Sequence, residues 1–64
     1  MTGKDLTELR TRLGLTQAQL ADLVRVGSMT IWHWENKFAE RDLRRAIKRN
    51  NYERLMKVLR VGAR

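Results

Sequence analysis

The sequence predicts an all-α fold, a compact bundle of about five short helices in a single domain of residues 1–64. Apolar residues recur at intervals of three and four, capping boxes precede the first two apolar stretches, and no alternating strand pattern occurs. Proline is absent, and the glycines fall near predicted helix boundaries. A chain this short has room for one small core and little else.

The first helix is predicted over residues 3–13, with apolar side chains on one face at Leu6, Leu9 and Leu13. Thr2 is the expected N-cap, and Asp5 stands at the capping-box position. Gly14 is expected to close the helix in a left-handed conformation.

The second helix is predicted to begin after Thr16, which forms a second capping box with Gln19, and to end near Arg25. Its inner face is Leu20, Ala21 and Val24. Two alternatives exist for the turn that follows. Arg25 can adopt a left-handed conformation at a cost of about 1 kcal/mol, or the turn can shift by one or two residues and use Gly27.

The third helix is predicted to begin near Ser28, and it carries three consecutive rings. Neighbouring residues on a helix point about 100° apart, so one surface cannot bury all three rings. Trp34 shares a face with Ile31 and is expected in the core. The opposite side then carries Ser28, Met29, Trp32 and His33.

Two further helices are predicted in the remaining chain, after Phe38, which is expected to tie the intervening loop to the core. The fourth carries Leu43, Ala46 and Ile47 and is expected to end at a turn formed by Asn50 and Asn51. The fifth, at about residues 51–60, carries Tyr52, Leu55, Met56 and Leu59.

The charge is strongly positive and unevenly distributed. Fourteen Lys and Arg residues stand against seven Asp and Glu residues, and the net charge of +7 falls entirely after residue 40. Such an imbalance favours a polyanionic partner, either nucleic acid or an anionic membrane surface. The basic face of the fourth helix is interpreted as a solvated surface that adds long-range attraction: Arg44, Arg45, Lys48 and Arg49.

Composition argues against several classes of function. The chain has no cysteine and a single histidine, so neither a disulfide nor a metal site is expected. No nucleophile–base pair or phosphate-binding glycine loop is present, so we expect no enzymatic activity, no cofactor and no small-molecule substrate. No secretion signal or membrane span is recognisable, so a cytoplasmic protein is expected.

Residues 15–37, LTQAQLADLVRVGSMTIWHWENK, resemble the helix-turn-helix of the lambda-type phage repressor and Cro family in gapless register. The family pattern is roughly L-T-Q-x-x-L-A-x-x-x-G-V-S-x-x-T-I-x-x-W-E-x-G. Arg25 replaces the family's turn glycine, and Gly27 replaces its usual cap serine. The positions that match are Leu15, Thr16, Gln17, Leu20, Ala21, Val26, Thr30, Ile31, Trp34 and Glu35.

The resemblance implies a sequence-specific regulator of transcription, a small Cro-like repressor that binds a palindromic operator in double-stranded DNA as a homodimer. Its third helix would enter the major groove, with base contacts from Ser28, Met29, Trp32 and His33. His33 can bond guanine N7 or O6, and Met29 can pack on a thymine methyl. Trp32 is open to two interpretations, because its bulky indole can lie against sugar-phosphate or cover another part of the protein.

Phosphate contacts are expected from residues that flank the second and third helices: Thr16, Gln17, Asn36, Lys37, Arg41 and Arg10. In the family, the positions of Arg10 and Glu35 can form an ion pair between the first and third helices, and we expect this pair here. The candidate dimer interface is on the last helix, with Val61 as a further candidate beside Tyr52, Leu55, Met56 and Leu59.

Three other functions remain open. An antitoxin would share the DNA-binding residues and bind a toxin as well. The basic amphipathic tail, residues 41–60, could bind an anionic membrane surface. RNA binding is possible for any basic domain, although no known RNA-module pattern is present.

Overall fold

The computed structural model describes residues 1–62, with side chains through Arg60, so Val61 as a candidate interface residue lies outside the described side chains. This part of the chain folds into five helices and contains no strand, which confirms the predicted all-α bundle. Thr2 and Asp42 form an isolated antiparallel bridge. The helices are α1 (Gly3–Arg12), α2 (Gln17–Val24), α3 (Ser28–Asn36), α4 (Leu43–Ala46) and α5 (Arg49–Gly62).

Both predicted capping boxes are present. The Asp5 N–H donates to Thr2 Oγ1 at 3.2 Å, and the Thr2 N–H donates to the Asp5 carboxylate at 3.0 Å. Thr16 and Gln19 repeat the arrangement at the start of α2, at 3.0 and 2.9 Å. Gly14 follows α1 with φ of 73°, the left-handed conformation expected of it.

The turn between α2 and α3 adopts the first of its two predicted alternatives. Arg25 is left-handed, with φ of 65° and ψ of 45°. Gly27 has φ of −75°, a conformation that any residue can adopt. The Val26 N–H closes the end of α2 by donating to the Ala21 carbonyl at 2.9 Å. The turn is therefore held by a strained, exposed arginine.

The core is shared by all five helices: α2 packs on α3 and α5, α1 packs on α3, and α4 packs on α5. Ala21 is small, and its burial is consistent with close approach of α2 and α3. Full burial of each large apolar side chain contributes about 1.5–3 kcal/mol. The buried apolar residues are Leu6, Leu20, Ala21, Val24, Ile31, Trp34, Leu43, Leu55 and Leu59.

The loop that follows α3 is fastened to the start of α1. The Gly3 N–H donates to the Phe38 carbonyl at 2.9 Å, and the Lys4 N–H donates to the Ala39 carbonyl at 3.0 Å. Gly3 is buried so tightly that an added Cβ would lie 2.1 Å from the Trp34 carbonyl oxygen. Phe38 packs against the core from this loop, as predicted. Two of the backbone N–H groups that the start of α1 leaves free thus hold the loop after α3 in place.

The predicted boundary between the last two helices is wrong. The fourth helix ends at Ala46 rather than at residue 50, and Asn50 and Asn51 lie inside α5. Ile47 leaves the helical conformation, with φ of −119° and ψ of 166°, while it packs against the core. The Tyr52 N–H then donates to the Lys48 carbonyl at 3.0 Å, which starts the new helix before the asparagines.

Asp42 caps the short α4. Its carboxylate accepts a hydrogen bond from the Arg44 N–H at 3.0 Å, and the Met1 ammonium lies 3.4 Å away. The backbone hydrogen bond, aided by the positive charge of Met1, holds the pKa of Asp42 below its ordinary value of 3.8.

Arg54 links α5 to the end of α2. Its Nε donates to the Val24 carbonyl at 2.9 Å, and its Nη2 donates to Asn51 Oδ1. A guanidinium at this place satisfies a carbonyl that the end of α2 leaves free, and its charge complements the helix dipole.

Candidate nucleic-acid interface

The two sides of α3 have opposite exposures. Ile31 and Trp34 are buried, at 0% and 4% exposure. Met29 is 72% exposed and Trp32 is 40% exposed, and Ser28 and His33 are exposed beside them. The four residues predicted to contact bases therefore share the solvent face of one helix, which is separated from α2 by a turn of three residues.

The orientation of His33 is supported by a neighbouring ring. Its imidazole meets the Phe38 ring edge to face, with centroids 5.1 Å apart and an interplanar angle of 82°. Such pairs contribute about 0.5–1.5 kcal/mol beyond area burial. Phe38 is itself anchored on the core. The imidazole thus presents its nitrogens from a supported position, a contact that the sequence pattern did not reveal.

Trp32 and Lys37 form a second feature on this face. Lys37 Nζ lies 6.0 Å from the centre of the Trp32 ring, at the outer limit of a cation–π contact. Asn36 Nδ2 donates to the Trp32 carbonyl, one turn back in α3, at 2.8 Å. The indole is 40% exposed and is not among the side chains that pack against the core, so both interpretations of Trp32 remain predictions.

Behind α3, Arg10 and Glu35 form the expected ion pair. Arg10 Nε donates to Glu35 Oε2 at 2.6 Å, and Nη2 donates to Oε1 at 3.2 Å. The two side chains are only 14% and 4% exposed. Arg10 Nη1 also donates to the Leu15 carbonyl at 2.8 Å, and Gln17 Nε2 donates to Glu35 Oε1 at 3.0 Å. Four hydrogen bonds therefore lock α1, α2 and α3 at one buried joint.

This joint changes the roles expected of two residues. Gln17 directs its amide nitrogen at Glu35, and Arg10 uses its guanidinium on Glu35 and Leu15, which leaves it little surface for a phosphate. The family resemblance predicted the ion pair but not the hydrogen bond from the Gln17 amide.

The remaining predicted phosphate contacts are dispersed. Thr16 is exposed, although its hydroxyl oxygen already accepts the Gln19 N–H as the cap of α2. Arg41 is exposed beyond α3 and lines a cleft beside Phe38 and Arg45. Lys37 and Asn36 lie together at the end of α3, whereas Thr16 and Arg41 belong to separate segments.

The candidate dimer interface requires a correction. Leu55 is fully buried and Leu59 is 5% exposed within a single chain, because α5 packs its apolar side against α2. Neither leucine is available to a partner. Tyr52 and Met56 are half-buried and still reach the surface.

Two further properties concern the described part of the chain. Within residues 1–62, no group of three or more His, Asp or Glu side chains is arranged to hold a metal ion. None of the described helices combines the length and the apolar character required to cross a bilayer.

Comparison with protein-family models, curated proteins and solved structures finds no match to this chain. The candidate interface is accordingly defined by its own geometry, an exposed face of α3 fixed from behind by the joint of Arg10, Gln17 and Glu35.

Proposed function

We propose that this protein is a sequence-specific double-stranded DNA-binding regulator of transcription, a small repressor of the Cro type. The α2–turn–α3 unit would be a helix-turn-helix, with α3 in the major groove. One observation supports this above all others. A helix braced on two neighbours keeps Ser28, Met29, Trp32 and His33 in solvent while Ile31 and Trp34 are buried.

The exposed face has the chemistry required for reading bases. The His33 imidazole can donate to guanine N7 or O6, and Ser28 can bond to several base edges. The Met29 side chain, at 72% exposure, offers a flexible apolar surface for a thymine methyl. These residues lie in the first two turns of α3, the part of a recognition helix that approaches base edges.

The residues around this face would fix the position of the duplex. Lys37 and Trp32 together present a cation and a flat ring to sugar-phosphate, and Asn36 lies beside them. The N-terminus of α2, at Thr16 and Gln17, would lie near a phosphate, because its backbone N–H groups and the helix dipole favour an anion whatever the Gln17 side chain does. Arg41 adds a charge beyond α3. These contacts orient the protein without reading sequence.

One recognition helix contacts few base pairs, so we propose that two copies bind a palindromic operator. Their α3 helices would be about 34 Å apart, one turn of the duplex. Sedimentation of the chain with and without its operator would measure the association. Such a protein would act in the compartment that contains the DNA, the cytoplasm of a bacterial cell.

Selection of bound sequences from random duplex DNA tests the function directly. We expect enrichment of one site composed of two inverted half-sites. A Met29→Ala/His33→Ala variant should lose this enrichment, and a Lys4→Ala/Glu8→Ala variant, altered on the exposed side of α1, should retain it. Recovery of random sequences by the unaltered chain would reject the proposal.

A further inference from the structure

The positive charge of this protein lies away from its candidate reading helix. Residues 16–37 contain two basic and two acidic residues and are neutral overall. Residues 41–60 contain eight basic and two acidic residues, a net charge of +6. The electrostatic attraction that dominates binding to nucleic acid therefore comes mainly from α4, α5 and the loop before them.

Part of this charge surrounds a groove between α4 and α5 with a volume of about 650 Å³. Arg44 contributes from α4 and Arg60 from the last turns of α5. Arg49 is paired with Glu53 at 3.0 Å, and the pair is exposed. Arg54 points inward to the Val24 carbonyl and is not part of the groove. The residues that line this groove are Arg44, Arg49, Tyr52, Glu53, Met56 and Arg60.

We propose that this basic groove is a second nucleic-acid-binding surface, which holds the phosphodiester backbone of a duplex independently of α3. Guanidinium groups match the oxygens of a phosphate in geometry as well as in charge. Tyr52 adds a hydroxyl donor beside them. Because the phosphates of a duplex recur at short intervals, they can satisfy cations that are spread over two helices.

Other polyanions fit the groove less well. An amphipathic helix binds a membrane surface by burying its apolar side in the lipid, but Leu55 and Leu59 of α5 are already buried in the core. An acidic protein would need apolar anchors, which dominate the energy of protein interfaces. The groove offers only the half-buried Tyr52 and Met56 for that purpose.

The consequence of two separate surfaces is that one chain can hold two duplex segments together. Neither α4 nor α5 contributes to the face formed by Ser28, Met29, Trp32 and His33. Bridging rests on the proposed function of α3 for the first duplex. Binding of a duplex by the groove does not depend on the function of α3, so groove binding and bridging can be tested separately.

The groove is tested with a duplex of random sequence and an Arg44→Gln/Arg60→Gln variant, which leaves the Arg49–Glu53 pair intact. A Lys4→Gln/Arg12→Gln variant removes the same charge from exposed positions on α1. If both groove arginines contact phosphate, the plot of log K against log salt concentration should flatten by about two units for the first variant. The control should keep its slope to within about half a unit. Equal slopes for the two variants would overturn the proposal.

Bridging is tested by immobilising one duplex on beads and measuring retention of a second, fluorescent duplex by the full chain. We expect the groove variant to reduce retention at least about tenfold, and the α1 variant to leave it unchanged. Undiminished retention by the groove variant would overturn the second surface, as would tighter binding to polyglutamate of equal charge than to duplex. A Met29→Ala/His33→Ala variant separates the proposals, because loss of sequence preference concerns α3 alone. Duplex RNA in a parallel arm shows which backbone the groove prefers.

Discussion

Arg10 and Glu35 join α1 to α3 through two hydrogen bonds, of 2.6 and 3.2 Å, at a site that is almost closed to solvent. Gln17 extends the contact to α2 through the same carboxylate. The buried carboxylate of Glu35 therefore ties α3 to both α1 and α2, and these contacts fix the position of the exposed face of α3.

Removal of either partner should destabilise the fold strongly, because the other charge is left buried without compensation. We expect Arg10→Met or Glu35→Gln alone to lower the free energy of unfolding by about 3 kcal/mol or more. The double variant should cost less than the sum, with a coupling energy of about 2 kcal/mol. Urea unfolding of the four proteins gives this cycle.

The exposed pair of Arg49 and Glu53 provides the matched control, because its side chains are 91% and 58% accessible. Its coupling should be only about 0.3–0.5 kcal/mol. Similar coupling energies for the two pairs would contradict the assignment of the buried pair as the joint.

Gly3 should tolerate no side chain. A Cβ at this position would lie 2.1 Å from the Trp34 carbonyl oxygen and 2.6 Å from that of Phe38, both in backbone that cannot move freely. Gly3→Ser is expected to lower the free energy of unfolding by about 3 kcal/mol or more. Thermal unfolding measures the loss.

Gly27→Ser is the control for that substitution, because its nearest neighbour would be Thr30 Oγ1 at 3.9 Å. A serine there can cap α3 through its hydroxyl, which should stabilise by a few tenths of a kcal/mol. An equal loss at both positions would show that close packing at Gly3 is not the cause.

Replacement of Arg25 by glycine should stabilise the protein. Arg25 holds a left-handed conformation, with φ of 65°, which costs a non-glycine residue about 1 kcal/mol. We expect Arg25→Gly to raise the free energy of unfolding by about that amount. Arg12→Gly, at an exposed arginine in the last turn of α1, should instead lower it by about 0.5–1 kcal/mol. Effects of the same sign would argue against strain at the turn.

Asp42 should contribute to acid unfolding. Its folded-state pKa is lowered, so its charge stabilises the folded state at pH values above 3.8 and ceases to do so as the pH falls through the lower, folded-state value. Asp42→Asn keeps an oxygen that can accept the Arg44 N–H but has no charge to lose. Between about pH 5 and pH 2, the unaltered chain should therefore lose more stability than this variant.

Comparison of Asp42→Ala with Asp42→Asn separates the cap from the charge. The alanine removes both the cap and the charge and should lower stability at every pH, whereas the asparagine removes only the charge. Chemical unfolding at several pH values measures all three proteins. Parallel loss of stability by the unaltered chain and Asp42→Asn would show that other groups control acid unfolding.

His33 and Lys37 should affect DNA binding in different ways. His33→Ala is expected to relax preference at one base position, at a cost of about 1–3 kcal/mol on the preferred site. Lys37→Ala should weaken binding to all sequences alike and flatten the salt dependence by about one unit. Binding to a panel of operator variants at several salt concentrations distinguishes these patterns, and identical patterns would refute the separate roles.

The helices were largely predictable because their signals are local. Each capping box lies within four residues, and the spacing of Ile31 and Trp34 determines which side of α3 is buried. The boundary between α4 and α5 was not predictable in this way. It depends on Ile47, which leaves the helix while packing on a core formed by distant segments.

The candidate site likewise has some features that the sequence could predict and others that it could not. Helical spacing was sufficient to expose Met29 and His33, and the family resemblance was needed to pair Arg10 with Glu35. Neither signal could show that Gln17 completes the pair, or that Phe38 supports the His33 ring. Those contacts depend on the angles between helices, which a linear pattern does not specify.

The hydrogen bond from Arg54 to the Val24 carbonyl means that the α2–turn–α3 unit needs α5 when it is transferred to another protein. A fragment cut after α3 would retain every residue of the resemblance, yet α2 would lose this hydrogen bond and the core beside it would be exposed to water. The last helix is therefore a scaffold for the motif as well as a carrier of charge, and chimaeras that exchange α3 between proteins should keep it.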